Sequence, residues 1–270
     1  MRKKNLTGAV VITGAFGGMG RATALALSEL GLRVFALDRV TEDLGEGITP
    51  IRTDVTDEQS VSRAVATVSA ETDRIFAIIH FAGIYMLDSL VEMDTQDFER
   101  IFKVNLEGVF LVNKLFLPLL DSGSRIVITT SELAPLDPLP FTGIYAVTKA
   151  ALDKYAYLLR MELQLLGISV SALRCGAVDT GMLGASMEAL DRFVGKTELY
   201  SCDAARFKSI VQSVEARSVP CEAIAKKVTR VLGKKKPRFA YAINRNPLLL
   251  LFNLLPKRMQ LWIIKRILKG

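Results

Sequence analysis

Tyr145 and Lys149 close the pentapeptide YAVTK, four positions apart, a spacing that on a helix sets a phenol and an ammonium on one face. A phenol with an ordinary pKa near 10 is a poor base at neutral pH, and a neighbouring positive charge favours its ionised form. The chemistry such a pair offers is proton exchange beside a redox centre. The same spacing also suits a solvated helix face. What singles the pair out is a glycine-rich turn far upstream, Thr13 to Gly20, reading TGAFGGMG.

That turn has an apolar strand, Val10-Val11-Ile12, before it and a helix through Ala22, Leu25, Ala26 and Leu30 after it, with Gly31 placed to end the helix. Glycines in this setting let backbone approach a pyrophosphate, which sits at the positive end of the helix. Gly14, Gly18 and Gly20 carry the pattern, and Gly17 is extra. Phe16 holds the position where the general dinucleotide fingerprint has its second glycine, and Met19 separates the last two. Asp38 ends the next strand, Arg33 to Leu37, where a carboxylate accepts bonds from ribose hydroxyls and repels a 2′-phosphate. This favours NAD. Arg39, its neighbour, can accommodate the phosphate and leaves NADP open.

The elements that must position these groups alternate. Further strands are expected at Ile51–Asp54, Ile75–His80, Arg125–Thr130, Ile168–Arg174 and Arg238–Ile243. Helices are expected at Asp57–Ala70, Asp94–Leu120, 143–166 and Pro220–Leu232, the last with proline at its start. Such alternation predicts an α/β fold, a Rossmann-like doubly wound parallel sheet of about seven strands with helices on both faces. With neither internal repeat nor linker, residues 1–270 read as a single domain. Short helices over about 181–218 would form a lid, and two apolar helices, Leu248–Leu255 and Lys257–Leu268, a C-terminal extension over about 244–270.

The pattern Gly-x3-Gly-x-Gly after Thr13, followed by Tyr-x3-Lys, resembles the short-chain dehydrogenase/reductase family over residues 7–232. The resemblance implies that Tyr145 exchanges the hydroxyl proton, that Lys149 lowers its pKa and holds the nicotinamide ribose, and that Ser131 polarises the substrate oxygen. It implies that Asn105, in KVNLEG, anchors a water relay; the residue also suits a helix kink. Asp54-Val55 resembles the pair that meets adenine, and Ala82-Gly83 the end of the family's Asn-Asn-Ala-Gly, though His80 and Phe81 replace both asparagines. Val178 and Thr180 would meet the carboxamide. Arg174-Cys175-Gly176 resembles the family's Arg-Pro-Gly, and Cys175 reads as a small buried apolar residue. Ser131 stands one residue further from Tyr145 than the family spacing, a difference the loop Pro135–Pro140 can absorb; Glu132 fills the usual spacing.

With one histidine, His80, which reads as structural, and three cysteines without a CxxC pair, the chain offers no metal site and points to reduced thiols in a cytoplasmic setting. Met182, Leu183, Met187, Leu190 and Phe193 make the lid apolar, which fits a hydrophobic alcohol or ketone such as a steroid, retinoid or acyl chain. The alternatives are that they only pack the lid, that the enzyme is an NADPH-dependent 3-oxoacyl-type reductase, or that the chain is a dinucleotide-sensing scaffold.

The formal charge is +7, with cations concentrated toward the C-terminus. The tail from Lys236 resembles the ends of retinol- and hydroxysteroid-dehydrogenase-like members. Its last helix sets Arg258, Lys265, Arg266 and Lys269 opposite an apolar face, which suits packing on the body, a dimer partner or a peripheral membrane contact. Nucleic acid is not expected, because no reading motif accompanies the charge. The resemblance implies homodimers or homotetramers formed through helices 94–120 and 143–166.

Overall fold

Successive strand residues send their side chains into two separate cores. β1 (Ala9–Thr13) gives Val11 to one and Val10 and Ile12 to the other; β2 (Arg33–Asp38) gives Phe35 and Leu37 to the first and Val34 and Ala36 to the second. Continuous apolar runs of this kind are what a sheet covered on both faces requires. The first core is closed by Val61, Val112 and Leu152 from α2 (Glu58–Ser69), α4 (Gly108–Phe116) and α5 (Gly143–Leu163). The second is closed by Leu27 and Val228 from α1 (Gly18–Ser28) and α8 (Cys221–Leu232). The computed structural model describes residues 6–214 and 218–269, without the side chains of 182–186 and 212–214, so the side chains of Met182 and Leu183 lie outside what it describes.

The remaining strands are β3 (Ile48–Arg52), β4 (Ala77–His80), β5 (Arg125–Ser131), β6 (Ser169–Cys175) and β9 (Ala240–Ile243), in the parallel order β3-β2-β1-β4-β5-β6-β9. The seven-stranded sheet and two helical layers match the expected fold. The chain reverses direction across the sheet between β1 and β4, which opens a crevice at their carboxyl ends. Register brings the chemistry to that edge: Thr13 pairs with Leu37 and His80, Asp38 with Arg52, and Ser131 with Cys175.

Three elements differ from expectation. β3 starts at Ile48 and ends at Arg52, leaving Asp54 in the turn, where the side chain of Asp57 accepts from Gln59 N and starts α2. Helix 94–120 is broken into α3 (Thr95–Phe102), a π turn over Lys103–Glu107, α4, and a 3₁₀ turn at Leu117–Leu119. Asn105 lies in the π turn, which realigns the helix so that its amide reaches the strand edge; Pro118, lacking an N–H, belongs to the closing turn. The region after Thr180 holds two long helices, α6 (Gly181–Lys196) and α7 (Ser201–Val214), and a small parallel ladder of β7 (Val178–Asp179) with β8 (Val219–Pro220). The chain ends with α9 (Pro247–Asn253) and α10 (Lys257–Lys269).

Candidate active site

The glycine turn is tight for a steric reason. Gly14 has φ +66°, and a Cβ there would lie 2.5 Å from Ala82 N at the end of β4. A Cβ on Gly20 would run into the Gly14 carbonyl oxygen. Turn, strand end and helix therefore pack backbone to backbone, and Gly17 caps α1 without a side-chain hydrogen bond. The amino end of α1 keeps its N–H groups available for an anion, so the cradle fits a dinucleotide pyrophosphate.

The turn opens into a cleft of about 780 Å³. Of the expected cofactor residues, Gly14, Phe16, Gly18, Met19, Gly20, Asp38, Arg39, Asp54, Val55, Ala82, Gly83 and Thr180 line it together. Asp38 accepts from Phe16 N at 3.1 Å and Arg39 N at 2.7 Å, which fixes its carboxylate at the rim. For Asp54 partial burial works upward, but bonds from Thr56 and the charges of Arg39 and Lys103 prevail and hold its pKa below the usual range. Val178 and Thr13 stand behind this lining. Val178 is buried in the second core and paired to Val219, because its strand residue points inward. Thr13 is also buried, its hydroxyl accepting from Ala82 N at 3.4 Å, so it shapes the turn from behind.

Behind the cleft, Tyr145 and Lys149 lie on α5, Lys149 buried and Tyr145 half-buried. Lys149 Nζ donates to Thr129 O at 3.2 Å and lies 5.6 Å from the Tyr145 ring centroid. Burial pushes the Lys149 ammonium down to about 8. The sequence led us to expect a phenol lowered by that ammonium; instead burial, with Tyr85 and Cys175 nearby, raises Tyr145 well above its ordinary 10. Desolvation wins because the ammonium is directed at a carbonyl and the phenol packs against Tyr85. Cys175 interacts with both groups and is the register partner of Ser131, which ties the end of β5 to the Tyr145–Lys149 face.

Ser131 Oγ accepts from Leu133 N at 3.2 Å, an arrangement that leaves its O–H to donate elsewhere. Glu132, at the family's usual spacing, is directed to the tail, accepting from Asn246 N at 2.7 Å. Asn105 is fully buried; Oδ1 accepts from Ile84 N at 2.8 Å, while Nδ2 donates to Ile84 O at 3.0 Å and Thr148 Oγ1 at 3.2 Å. Thr148 in turn donates to Tyr145 O at 2.8 Å. Asn105 thus clamps the loop after β4 to the helix carrying Tyr145. His80 is structural as expected: Nε2 lies 2.9 Å from Asn113 Oδ1, and burial pushes the imidazole down to about 4.

Several neighbours were not foreseen. Tyr85 stacks at 4.8 Å from Tyr145, ring centroid to ring centroid. Gln96, Arg100 and Lys103 line the cleft from α3 and the π turn. No motif marks them, since only the helix break turns them inward. Arg174 and Asp153, four residues beyond Lys149, form an ion pair that binds α5 to β6; opposite charges on a strand and a helix of the same half were the available signal. Over the site, Phe141 meets Phe193, Tyr200 and Phe207 with centroids 4.6 to 5.3 Å apart. Leu190 and Phe193 are buried in this cluster, so these two lid residues pack the lid itself.

The family described as short chain dehydrogenase matches residues 8–191. An NADPH-dependent 1-acyldihydroxyacetone phosphate reductase of Schizosaccharomyces pombe is 32% identical over 63% of this chain and 60% of its own length. Estradiol 17-beta-dehydrogenase 2 of Mus musculus is 29% identical over 78% and 61%, so the chain spans about three fifths of these two relatives. Uncharacterized oxidoreductase YbbO of Escherichia coli is 30% identical over 97% of this chain and 94% of that protein. A short-chain dehydrogenase from Streptomyces avermitilis has the same fold, with TM-score 0.77 at 20% identity and 99% of each chain covered.

Proposed function

As the chain belongs to the short-chain dehydrogenase family, we propose that it transfers hydride between NAD(H) and a secondary alcohol or ketone on a hydrophobic substrate. The observation that carries this reading is the placement of Tyr145 beside a buried Lys149 on α5, next to Cys175, the strand partner of Ser131. A solvated helix face would leave the ammonium in water; an ammonium withdrawn from solvent beside a phenol suits proton exchange.

The dinucleotide, when bound, supplies the hydride acceptor or donor. The turn from Gly14 to Gly20 would hold its pyrophosphate, Asp38 its adenosine ribose, Asp54 and Val55 its adenine, and Ala82, Gly83, Thr180 and Lys149 its nicotinamide end. Ser131 donates its O–H to the substrate oxygen, opposing charge as it develops there. Tyr145 Oη gives its proton to that oxygen in ketone reduction and takes it back in alcohol oxidation. The raised pKa keeps the proton on the phenol until the oxygen becomes basic. Asn105 and Thr148 hold the helix that carries Tyr145 and Lys149.

The hydrophobic substrate is supported by Tyr85 and the Phe141 aromatic cluster, and by the steroid and acyl compounds in the names of two relatives. Exposed Phe110 on α4, and Val147, Leu158 and Met161 on α5, support pairing of two copies through these helices. A second cofactor reading, NADPH, is favoured by Arg39, Arg100 and Lys103 lining the same cleft. Parallel fluorescence titrations with NADH and NADPH decide between them. Tighter NADH binding supports Asp38 as the ribose reader, tighter NADPH binding gives the site to the cations, and binding of neither overturns the reading.

A further inference from the structure

The last two helices leave outward a face that the fold does not use. Leu248 and Leu251 on α9 and Leu254 just past its end recur every third residue and are 65%, 62% and 80% exposed. On α10, Leu261 and Trp262 are 68% and 66% exposed among Arg258, Lys265, Arg266 and Lys269, all exposed as well. The inner side of α10 is already satisfied. Gln260 is buried, donating to Leu255 O at 2.9 Å, and Leu268 packs against the lid cluster.

The segment is held firmly to the body. Asn246 N donates to Glu132 at 2.7 Å, Asp137 N to Asn253 Oδ1 at 2.6 Å, Lys257 pairs with Asp137, and Arg206 donates to Leu268 O at 3.3 Å. Its charge is one-sided: Glu222 is the last acidic residue, and every charged side chain beyond it is a lysine or arginine. Both helices are too short to cross a bilayer, and among the described residues no helix is long and apolar enough to do so.

We propose that α9 and α10 seat this protein on the surface of an anionic lipid bilayer. Exposed leucines on a rigid helix are an apolar patch that water disfavours and that acyl chains accept. A tryptophan surrounded by cations is amphipathic in the way that suits the headgroup level. Arg245, Lys257, Arg258, Lys265, Arg266 and Lys269 supply a positive rim that anionic headgroups complement, whereas a second copy of this face would set like charges against one another. The proposal stands apart from the reaction above, because none of these residues lines the cofactor cleft.

Trp262 is the only tryptophan of the chain, so the unmodified protein reports on its own face. Vesicles of phosphatidylcholine with about a third phosphatidylserine should shift Trp262 emission to the blue and co-sediment the protein, with partitioning roughly tenfold above that on pure phosphatidylcholine. Raising salt from about 0.1 to 1 M should release it, as the screening length contracts. The variants Leu248→Ser with Leu251→Ser, and Lys265→Glu with Arg266→Glu, should each lose binding while keeping the far-UV circular dichroism of the parent. An unshifted emission with no co-sedimentation overturns the proposal, as does equal binding by folded variants. A blue shift that grows with protein concentration without lipid assigns the face to a second copy and equally overturns it. All readouts are independent of turnover, so a failed reaction assignment leaves this test intact.

Discussion

Arg174 grips Asp153 with two bonds, Nε to Oδ1 at 2.9 Å and Nη2 to Oδ2 at 2.6 Å, and Thr130 Oγ1 adds a third at 3.3 Å. The pair joins β6 to α5 one helical turn from Lys149, so the helix bearing the phenol and ammonium cannot slide against the strands. Both side chains are largely buried. Asp153→Ala should destabilise the protein by about 3–5 kcal/mol, because it leaves the guanidinium without its partner. Asp153→Leu combined with Arg174→Met should recover most of the loss. Urea unfolding of the two variants and the parent measures both effects; equal loss in the single and double variants would contradict the account.

Tyr145→Phe removes only the proton-carrying oxygen and keeps the ring against Tyr85. Turnover should fall by about 10²–10⁴-fold, with the dissociation constant of the preferred dinucleotide changed by less than about twofold, since the cradle lies in other elements. Steady-state rates with a hydrophobic ketone and equilibrium titration separate the two quantities.

Lys149 sets activity against stability. Its folded pKa is about 8, below the ordinary 10.5 that the unfolded chain keeps, so between these values the unfolded chain binds more protons. The cost of burying its charge is therefore present in full below pH 8 and is relieved as pH rises toward 10.5. That cost is on the order of 3 kcal/mol. Lys149→Met should raise Tm at pH 7 by several degrees, with the gain shrinking above pH 9, while turnover is lost. Calorimetry across this range supplies the check.

Asp38→Ala deletes the carboxylate that receives the Phe16 and Arg39 amides. NADH affinity should weaken by roughly tenfold, the loss of about 1.4 kcal/mol of charge-assisted bonding. NADPH affinity should hold or improve, since a repelling charge is gone. A parallel fall for both dinucleotides would mean that Asp38 only shapes the turn.

The fold was legible because both of its signals are local. Apolar runs such as Val10 to Ile12 and Arg125 to Thr130 give the strands, and spaced glycines give the turn that faces them. The positions of Tyr145, Lys149 and Asp38 on those elements followed. What the spacing hid depends on burial and on the third dimension. The pKa of Tyr145 runs opposite to expectation because proximity in sequence says that an ammonium is near, and not that it is turned toward Thr129. Val178, expected at the cofactor, has its side chain in the second core, where the small ladder with Val219 holds it. Tyr85 and the aromatic cluster around Phe141 come from three separate stretches, and Phe141 holds φ 64°, a backbone state that its residue type does not announce.

Gly176 lies against the backbone that follows β9. A Cβ there would collide with the carbonyl of Asn244, just beyond β9, while Asn244 Nδ2 donates to Ala177 O at 2.8 Å and Gly176 N to Ile243 O at 2.9 Å. The stretch expected to meet the nicotinamide is thus propped from behind by a strand close to the chain's far end. For anyone shortening or tagging this protein, the practical limit falls after Asn246. Trimming α9 and α10 also strips Leu268 from the lid cluster, whereas cutting before Asn244 withdraws the buttress behind Gly176.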